Sequence, residues 1–291
     1  MKRSVSDKMF SVFNVTFFIV MSFLMMFPLL NVITLSLMPE SIASRPGVVL
    51  LLPNPRYVTL AAYRYIFKHD YILLAFRNTV IVTLIGSTLS TLLTAMLAYG
   101  ISDVKMPGQR LLSKLLLFTM MFGGGMIPTY MLVKMLGMIN TIWALIVPGL
   151  VGAYNTMLMK AFFMDFPESL EESANIDGAN DVIVLFRIVL PLSTPIIATI
   201  FLFKAVGHWN SYMDNILYIS KGSLKTLQPL LRELLINNSA DSTGGTSLES
   251  VELGINIKMS IAVISIVPII CAYPWLQKYF AKGIMIGAVK G

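Results

Sequence analysis

Three carboxylates stand close together between two long apolar stretches of this sequence: Glu168, Glu171 and Glu172. Pro167 precedes them and suits the first turn of a helix, where the helix dipole also favours acidic side chains. Asp177-Gly178 follows, and glycine accepts the left-handed backbone with which many helices end. The pattern predicts a short acidic helix, which either stays a solvated loop or is bound by a partner that thereby moves the attached segment.

The residues around this acidic helix predict how it is attached to the rest of the chain. Phe166, Leu170 and Ala174 fall on one face at i, i+4 spacing, so the helix is amphipathic. A second helix is predicted to begin near Asp181 and to enter an apolar stretch at Leu190-Pro191. The sequence therefore predicts a surface helix, then a bend, then a membrane span, an arrangement that can act as a lever.

Motifs for catalysis and metal binding are absent from the sequence. It contains no G-x-x-x-x-G-K-[ST] phosphate loop and no H-E-x-x-H motif, and its histidines are His69 and His208. Its single cysteine, Cys271, lies in an apolar stretch and is interpreted as a small buried residue. We expect no enzyme activity, no ATP site of its own and no metal or other cofactor in this chain.

The composition is that of a membrane protein. Of the 291 residues 56% are hydrophobic and only 13% are charged, and the mean hydropathy is +0.76. Soluble domains carry about a quarter charged residues. The net charge of +7 comes from basic residues between apolar blocks and at the chain ends, which favours membrane topology over nucleic-acid binding.

Six apolar blocks are long enough to cross a hydrocarbon core, which takes about 20 helical residues. The predicted spans cover residues 11–38, 72–99, 111–136, 140–163, 190–206 and 257–279. Gly123-Gly124-Gly125 and Pro128 are expected to interrupt the third. The fold class is therefore all-α, a polytopic membrane protein with six transmembrane helices and a short surface helix.

The loops set the expected topology of this single transmembrane domain, residues 1–291. Short basic segments stay in the cytoplasm, which places both termini and loop 164–189 on the cytoplasmic side of the cell membrane. Loops 39–71 and 207–256 are then extracytoplasmic.

The acidic stretch resembles the EAA motif of binding-protein-dependent ABC importer permeases. That motif reads E-A-A, three residues, Gly, nine residues, I-x-L-P, and both spacings match here. The matching residues are Glu172-Ser173-Ala174, Gly178 and Ile188-Val189-Leu190-Pro191. Ser173 departs from the usual alanine, although both side chains are small. In this family the helix is the coupling helix, which inserts into a cleft of the ATPase subunit.

The resemblance extends over nearly the whole chain. Within the family, the sequence resembles the carbohydrate branch most. The resemblance is carried by 122–130, 136–137, 143–145, Trp209-Asn210 and the tail 282–291. That tail is similar to the tails of permeases for oligosaccharides and polysaccharide fragments, including alginate and pectin-derived uronates. The resemblance implies a type I importer fold and an oligosaccharide substrate, with uronate fragments as one class.

The partners implied by the resemblance are a homologous second permease, two ATPase subunits that hold ATP and Mg²⁺, and an extracytoplasmic solute-binding protein, all assembled in a lipid bilayer. No nucleic acid is expected. The residues implied in ATPase coupling are Glu171, Glu172, Ser173, Ala174, Asp177 and Gly178, with Glu172 as the polar anchor and Gly178 as the bend.

Two weaker groups of site residues follow. Asn237, Asn238, Ser239 and Asp241 lie at the tip of loop 207–256 and contact the binding protein, or else belong to a linker. Aromatic and amide residues suit sugar stacking and hydrogen bonding, although an interfacial aromatic belt explains them nearly as well. The solute-pathway candidates are Gly124, Tyr130, Trp209, Asn210, Tyr212 and Asn215.

Other functions remain open at this point. A secondary carrier would move solute on an ion gradient with this chain alone. A permease for another small solute would have the same surface helix joined to a span but would carry a substrate other than a sugar. A membrane-bound structural or signalling protein would bind an ATPase without moving solute.

Overall fold

The computed structural model of the chain describes residues 5–45, 47, 49, 51–236 and 254–287. Regular structure within those residues is helical throughout, and no strand occurs among them. The predicted all-α class is confirmed.

In chain order the α-helices are α1 (Val5–Ser36), α2 (Glu40–Ala43), α3 (Ala61–Lys68), α4 (Asp70–Ser102), α5 (Gln109–Met121), α6 (Met126–Met135), α7 (Trp143–Ile146), α8 (Ala153–Met164), α9 (Glu168–Ile176), α10 (Asp181–Val184), α11 (Leu190–Leu192), α12 (Thr194–Trp209), α13 (Met213–Tyr218), α14 (Leu227–Ile236) and α15 (Ile255–Gly287). Two 3-10 turns, Val147–Gly149 and Gly222–Leu224, and a π-helix, Leu185–Val189, complete the elements.

Three helices are each long and apolar enough to cross a membrane alone. Their apolar portions are Lys8–Ser36 of α1, Asp70–Ser102 of α4 and Ile255–Ala272 of α15. The predicted first, second and sixth spans overlap these helices. Sequence therefore located the uninterrupted spans well.

The other three candidate spans are pairs of shorter helices that meet at sharp bends. Helices α5 and α6 meet at 116°, Trp143–Gly149 and α8 at 52°, and Asp181–Leu192 and α12 at 85°. The number of spans is three, or up to six if each bent pair is one span. The expected break in the third span is confirmed at residues 122–125, where Gly125 has φ +84°.

The fourth and fifth predicted spans each contain a bend that the sequence analysis did not anticipate. In the 140–163 stretch, α7 passes into the 3-10 turn Val147–Gly149 at Pro148, which donates no backbone hydrogen bond. The chain then breaks at 150–152, and helix resumes at Ala153. The 190–206 stretch bends at Ser193, between Pro191 and Pro195. Loops 39–71 and 207–256 also contain helices, among them α3 and α14.

The chain divides into two compact units. The first comprises Met1–Leu73 and Leu231–Val267, and the second comprises Leu74–Leu230 and Pro268–Gly291. The expectation of one domain over 1–291 remains a prediction.

In the first unit, Glu40 caps the start of α15. Its carboxylate oxygens accept hydrogen bonds from the backbone N–H of Ile255, at 3.1 Å, and of Asn256, at 3.4 Å. A negative charge at a helix N-terminus is favourable because unpaired N–H groups point towards it. Ser260 Oγ also donates to the carbonyl of Ser36, at 3.2 Å. The end of α1 and the start of α15 are therefore fixed to each other.

In the second unit, Asn140 joins two segments that are distant in sequence. Its backbone has φ +60°, and its N–H donates to the carbonyl of Tyr218 at 2.8 Å. Its side-chain oxygen accepts from the N–H groups of Ser220, at 2.7 Å, and Lys221, at 3.0 Å. The turn before α7 is thereby held against the loop that follows α13.

Replacement of Asn140 tests this link. We expect Asn140→Ala to lower the free energy of unfolding by about 1–3 kcal/mol, because it removes these hydrogen bonds and disfavours the left-handed backbone. Asn140→Gly should destabilise less, since glycine adopts φ +60° without strain. Thermal unfolding in detergent measures both, and an Asn140→Ala midpoint equal to that of the wild type would contradict the assignment.

Candidate functional site

The amphipathic helix α9 is held by an apolar cluster, which we call the elbow cluster. Its buried members are Ala95, Ala98, Met159, Phe163, Ala174, Val184, Leu185, Val189, Ile196 and Ile200. Ala174 of α9 is 8% exposed, and Phe166 packs against the same cluster. Leu170, predicted on this face, is instead exposed. Helices α4, α8 and α12 also contribute residues, so Ala174 of α9 belongs to the same apolar cluster as parts of three candidate membrane-spanning segments.

The end of α9 matches the predicted break. Gly178 has φ +83°, and the N–H of Ala179 donates to the carbonyl of Ala174 at 2.9 Å. This bond is the outer hydrogen bond of a Schellman motif, which satisfies a carbonyl at the helix end. Asn180 then caps α10, since its Oδ1 accepts from the N–H of Ile183 at 2.9 Å. The two helices are joined by a defined turn.

The opposite face of α9 is open and carries both acidic and apolar groups. Glu172, Ser173 and Asp177 are exposed, and Ile176 is 86% exposed. Ser173 Oγ donates to the carbonyl of Ser169 at 2.8 Å, so its hydroxyl is already paired. The exposed serine does not take part in packing, which falls to Ala174 instead.

Ile176 was missed by the sequence reasoning, although a signal was present. It follows Glu172 by four residues and therefore lies on the same helix face, away from Ala174. Its exposed side chain adds an apolar group beside the carboxylate of Glu172 on the open face of α9.

The I-x-L-P part of the motif forms an elbow. The π-helix Leu185–Val189 leads to Pro191, and the chain turns by 85° at Ser193 before α12 begins. Proline donates no backbone hydrogen bond and crowds the preceding turn, which explains a local departure from α-helical geometry. Val189, at the end of the π-helix, is fully buried in the elbow cluster. Packed side chains of the elbow cluster therefore connect Ala174 of α9 with Ile196 and Ile200 of α12.

A lysine lies within α12, beyond the elbow. Lys204 Nζ donates to the carbonyl of Gly149 at 2.6 Å, at the interruption of the fourth span. His208 follows one helical turn later, and its buried Nε2 has no hydrogen-bond partner among the described residues. The imidazole lies against Gly86 of α4, where a β-carbon would come within 2.6 Å of Nε2. Sequence reasoning did not select Lys204, although it is the single charged residue of 194–207.

The aromatic candidates for the solute pathway are packed rather than open. Trp209 is 6% exposed and meets Phe76 edge-on, with ring centroids 6.0 Å apart. Tyr130 stacks on Tyr218 at 6.2 Å, within a different apolar cluster. Tyr212 is half-buried, just before α13. These aromatic rings therefore do not line a common cavity among the described residues.

The remaining candidates have different surroundings. Asn210 is exposed, and its Oδ1 accepts from Gln228 Nε2 at 3.4 Å. Asn215 is buried with its Nδ2 unpartnered among the described residues, and Gly124 is exposed in the break before α6.

The predicted binding-protein contacts Asn237, Asn238, Ser239 and Asp241 lie outside the described residues. Within the described part of the chain, no group of three or more His, Cys, Asp and Glu is placed to hold a metal ion.

These features define an integral membrane protein in which a surface helix is mechanically joined to the spans, as in a transport permease moved by a partner. Residues 109–286 match the family described as binding-protein-dependent transport system inner membrane component. That match covers more than half of the chain, and the chain belongs to this family.

Similar proteins extend the match over the whole chain. It is 40% identical over 293 residues to the polygalacturonan/rhamnogalacturonan transport system permease protein YtcP of Bacillus subtilis, covering 98% of this chain and 99% of that protein. It is 28% identical to the arabinooligosaccharides transport system permease protein AraQ of Halalkalibacterium halodurans, with both chains covered completely. A chain of the crystal structure of a bacterial ABC transporter involved in the import of the acidic polysaccharide alginate superposes with a TM-score of 0.86 at 27% identity, over 96% of this chain and 99% of that one.

The close approach of Gly86 and His208 yields a prediction with a matched control. Gly86→Ala would push a methyl group into the imidazole, and we expect a loss of roughly 1–3 kcal/mol in stability. Gly100→Ala lies on the same helix, has open space around the added carbon and should be neutral or slightly stabilising. Thermal unfolding of both variants in detergent measures the difference, and equal midpoints would show that the ring moves aside at no cost.

Proposed function

We propose that this permease forms half of the solute pathway of an ATP-driven importer and that α9 is the helix through which an ATPase drives it. The observation that carries the proposal is the geometry of α9. One face buries Ala174 in the elbow cluster, which also contains residues of α4, α8 and α12, and the other face presents Glu172 and Ile176 outward. A partner bound to the outward face can therefore move the spans through the elbow.

The proposed assembly contains a homologous second permease, two ATPase subunits and an extracytoplasmic solute-binding protein. ATP and Mg²⁺ bind to the ATPase subunits, since this sequence has no phosphate-binding loop and holds no cofactor of its own. Both termini and α9 lie on the cytoplasmic side. ATP-driven closure of the ATPase dimer displaces α9, α12 and its neighbours then rock, and the pathway opens towards the loaded binding protein. Membership of a binding-protein-dependent family gives no support to the secondary-carrier alternative.

Each residue of the coupling segment has a proposed role. Glu172 is the polar anchor, Ile176 fills an apolar part of the ATPase cleft, and Gly178 sets the bend after the helix. Glu171 and Asp177 assist the anchor, Ser173 lies at the contact, and Ala174 transmits displacement to the elbow cluster. An apolar group surrounded by charges provides both affinity and orientation, as at other protein interfaces.

Cysteine crosslinking tests the coupling role. In a Cys271→Ala background, we expect Ser173→Cys and Ile176→Cys to crosslink to a cysteine placed in the cleft of the co-expressed ATPase, with yields that change when ATP binds. Val104→Cys is the matched control, because it is exposed in a turn predicted on the same side but outside α9. Crosslinking of Val104→Cys alone, with both proteins folded and co-purified, would reject α9 as the docking helix.

For the substrate, we propose acidic oligosaccharides from uronate-containing polysaccharides. The support is the similarity to a polygalacturonan/rhamnogalacturonan permease over nearly the full length and to a structure associated with alginate import. Both polymers carry a carboxylate on their uronic acid units. The second candidate, a neutral oligosaccharide, is favoured by the similarity to an arabinooligosaccharide permease.

Stimulation of ATP hydrolysis separates the two substrate classes. We expect the complete assembly in proteoliposomes to hydrolyse ATP several-fold faster when its binding protein carries an oligogalacturonide than when the binding protein is empty. The same binding protein mixed with neutral arabino-oligosaccharide should give the lower rate. Stimulation by the neutral sugar alone would overturn the acidic substrate while leaving the importer function in place.

A further inference from the structure

Lys204 is unusual because of where its charge lies. It is the single charged residue of 194–207 and is half-buried in α12, the segment that continues from the elbow. A charged group within a membrane span is costly unless it faces protein or a water-filled cavity, and such groups commonly mark the route of a solute. The apolar composition of α12 gives no structural reason for a lysine at this position.

The contacts of Lys204 leave much of its hydrogen-bonding capacity unused. The ammonium group has three N–H donors, and one of them donates to the carbonyl of Gly149 at 2.6 Å. Among the described residues, no carboxylate forms an ion pair with it. Gly149 ends the exposed 3-10 turn Val147–Gly149, directly before the break at 150–152 in the fourth span. Interrupted helices in transporters occur where the backbone lines a cavity or a binding site.

One turn after Lys204, helix α12 packs on α4 through His208. His208 lies four residues after Lys204, and its buried Nε2 has no hydrogen-bond partner among the described residues. Gly86 of α4 leaves room for the imidazole where a β-carbon would displace it. Phe203 and Gly207 each directly precede one of these two residues, and both are exposed, so this adjoining face of α12 is not covered by the residues that the structure describes.

We propose that Lys204 recognises the carboxylate of a uronic acid unit as the oligosaccharide passes through the permease. The free N–H donors of the ammonium bind the carboxylate oxygens, and the Gly149 carbonyl holds the ammonium in position. This specificity role rests on the proposed function, because it requires that the substrate be acidic. A charge-assisted hydrogen bond in a low-dielectric setting is stronger than one between neutral groups, which makes a single lysine an effective selector.

The test compares two substrates that differ only in charge: an oligogalacturonide and its methyl ester of the same length. Uptake is measured in proteoliposomes that contain the complete assembly and the loaded binding protein. We expect Lys204→Gln to reduce uptake of the oligogalacturonide roughly 10- to 100-fold while uptake of the ester stays at or above the wild-type rate. Lys204→Arg keeps the charge and should retain most of the preference for the acid.

Lys160→Gln is the matched control. Lys160 is also a half-buried lysine of a candidate span, and its Nζ donates to Ser113 Oγ at 2.8 Å. Its loss should leave the ratio of acid to ester uptake unchanged. The α9 crosslink, measured on every variant, reports whether coupling to the ATPase survives.

The possible outcomes are distinct. An unchanged acid-to-ester ratio in Lys204→Gln, or a proportional loss of both substrates, overturns the proposal and leaves Lys204 as a brace for the interrupted fourth span. A wild-type assembly that imports neutral sugars but no oligogalacturonide overturns both the acidic substrate and the proposed role of Lys204. This outcome needs only the uptake measurements on the wild type.

Discussion

The constraint on which this structure depends is that backbone polar groups inside a membrane find no water to bond. Each unpaired N–H or C=O group in hydrocarbon costs several kcal/mol, so a span normally stays helical from end to end. Helices α1, α4 and α15 obey this rule. The three bent pairs do not, and their interruptions need protein groups or water to satisfy them. At one of them, the ammonium of Lys204 donates to the carbonyl of Gly149.

The same constraint explains why force can pass from a surface helix into the membrane. A helix is stiff along its axis, and the packed interior of a protein transmits displacement because it is dense and nearly incompressible. The elbow cluster contains Ala174 of α9 together with residues of α4, α8 and α12. The 85° turn at Ser193 sets α12 at a steep angle to the segment before it, which is the geometry that the proposed lever requires. Rigid contacts at the elbow and a glycine turn beside it are consistent with a lever that has one defined bend.

Much of this architecture was predictable from sequence, for identifiable physical reasons. Long apolar blocks located α1, α4 and α15, and Asp177-Gly178 correctly predicted the end of α9. The glycine run before α6 predicted the break in the third span. The break in the fourth span was missed, although Pro148-Gly149 offered the signal, because its flanking residues are uniformly apolar.

Side-chain surroundings were harder to predict than helices. Trp209 and Tyr130 have the types expected of a sugar site, but burial depends on which helices meet, and both rings pack on neighbouring aromatic residues. Ile176 reads as a core residue from its type, and only the position of Ala174 on the opposite face shows that it lies outside. Lys204 carried a signal by its isolation in an apolar stretch, but its partner at Gly149 is 55 residues away in sequence.

The Glu40 cap has an evolutionary consequence. It fixes the residue at which the chain re-enters helix at α15, directly after residues 237–253, so the register of α15 is set independently of that segment. Insertions and deletions between α14 and α15 are then absorbed without shifting any side chain of the last span. A permease built in this way can change the length and sequence of that segment while it inherits its membrane core unaltered.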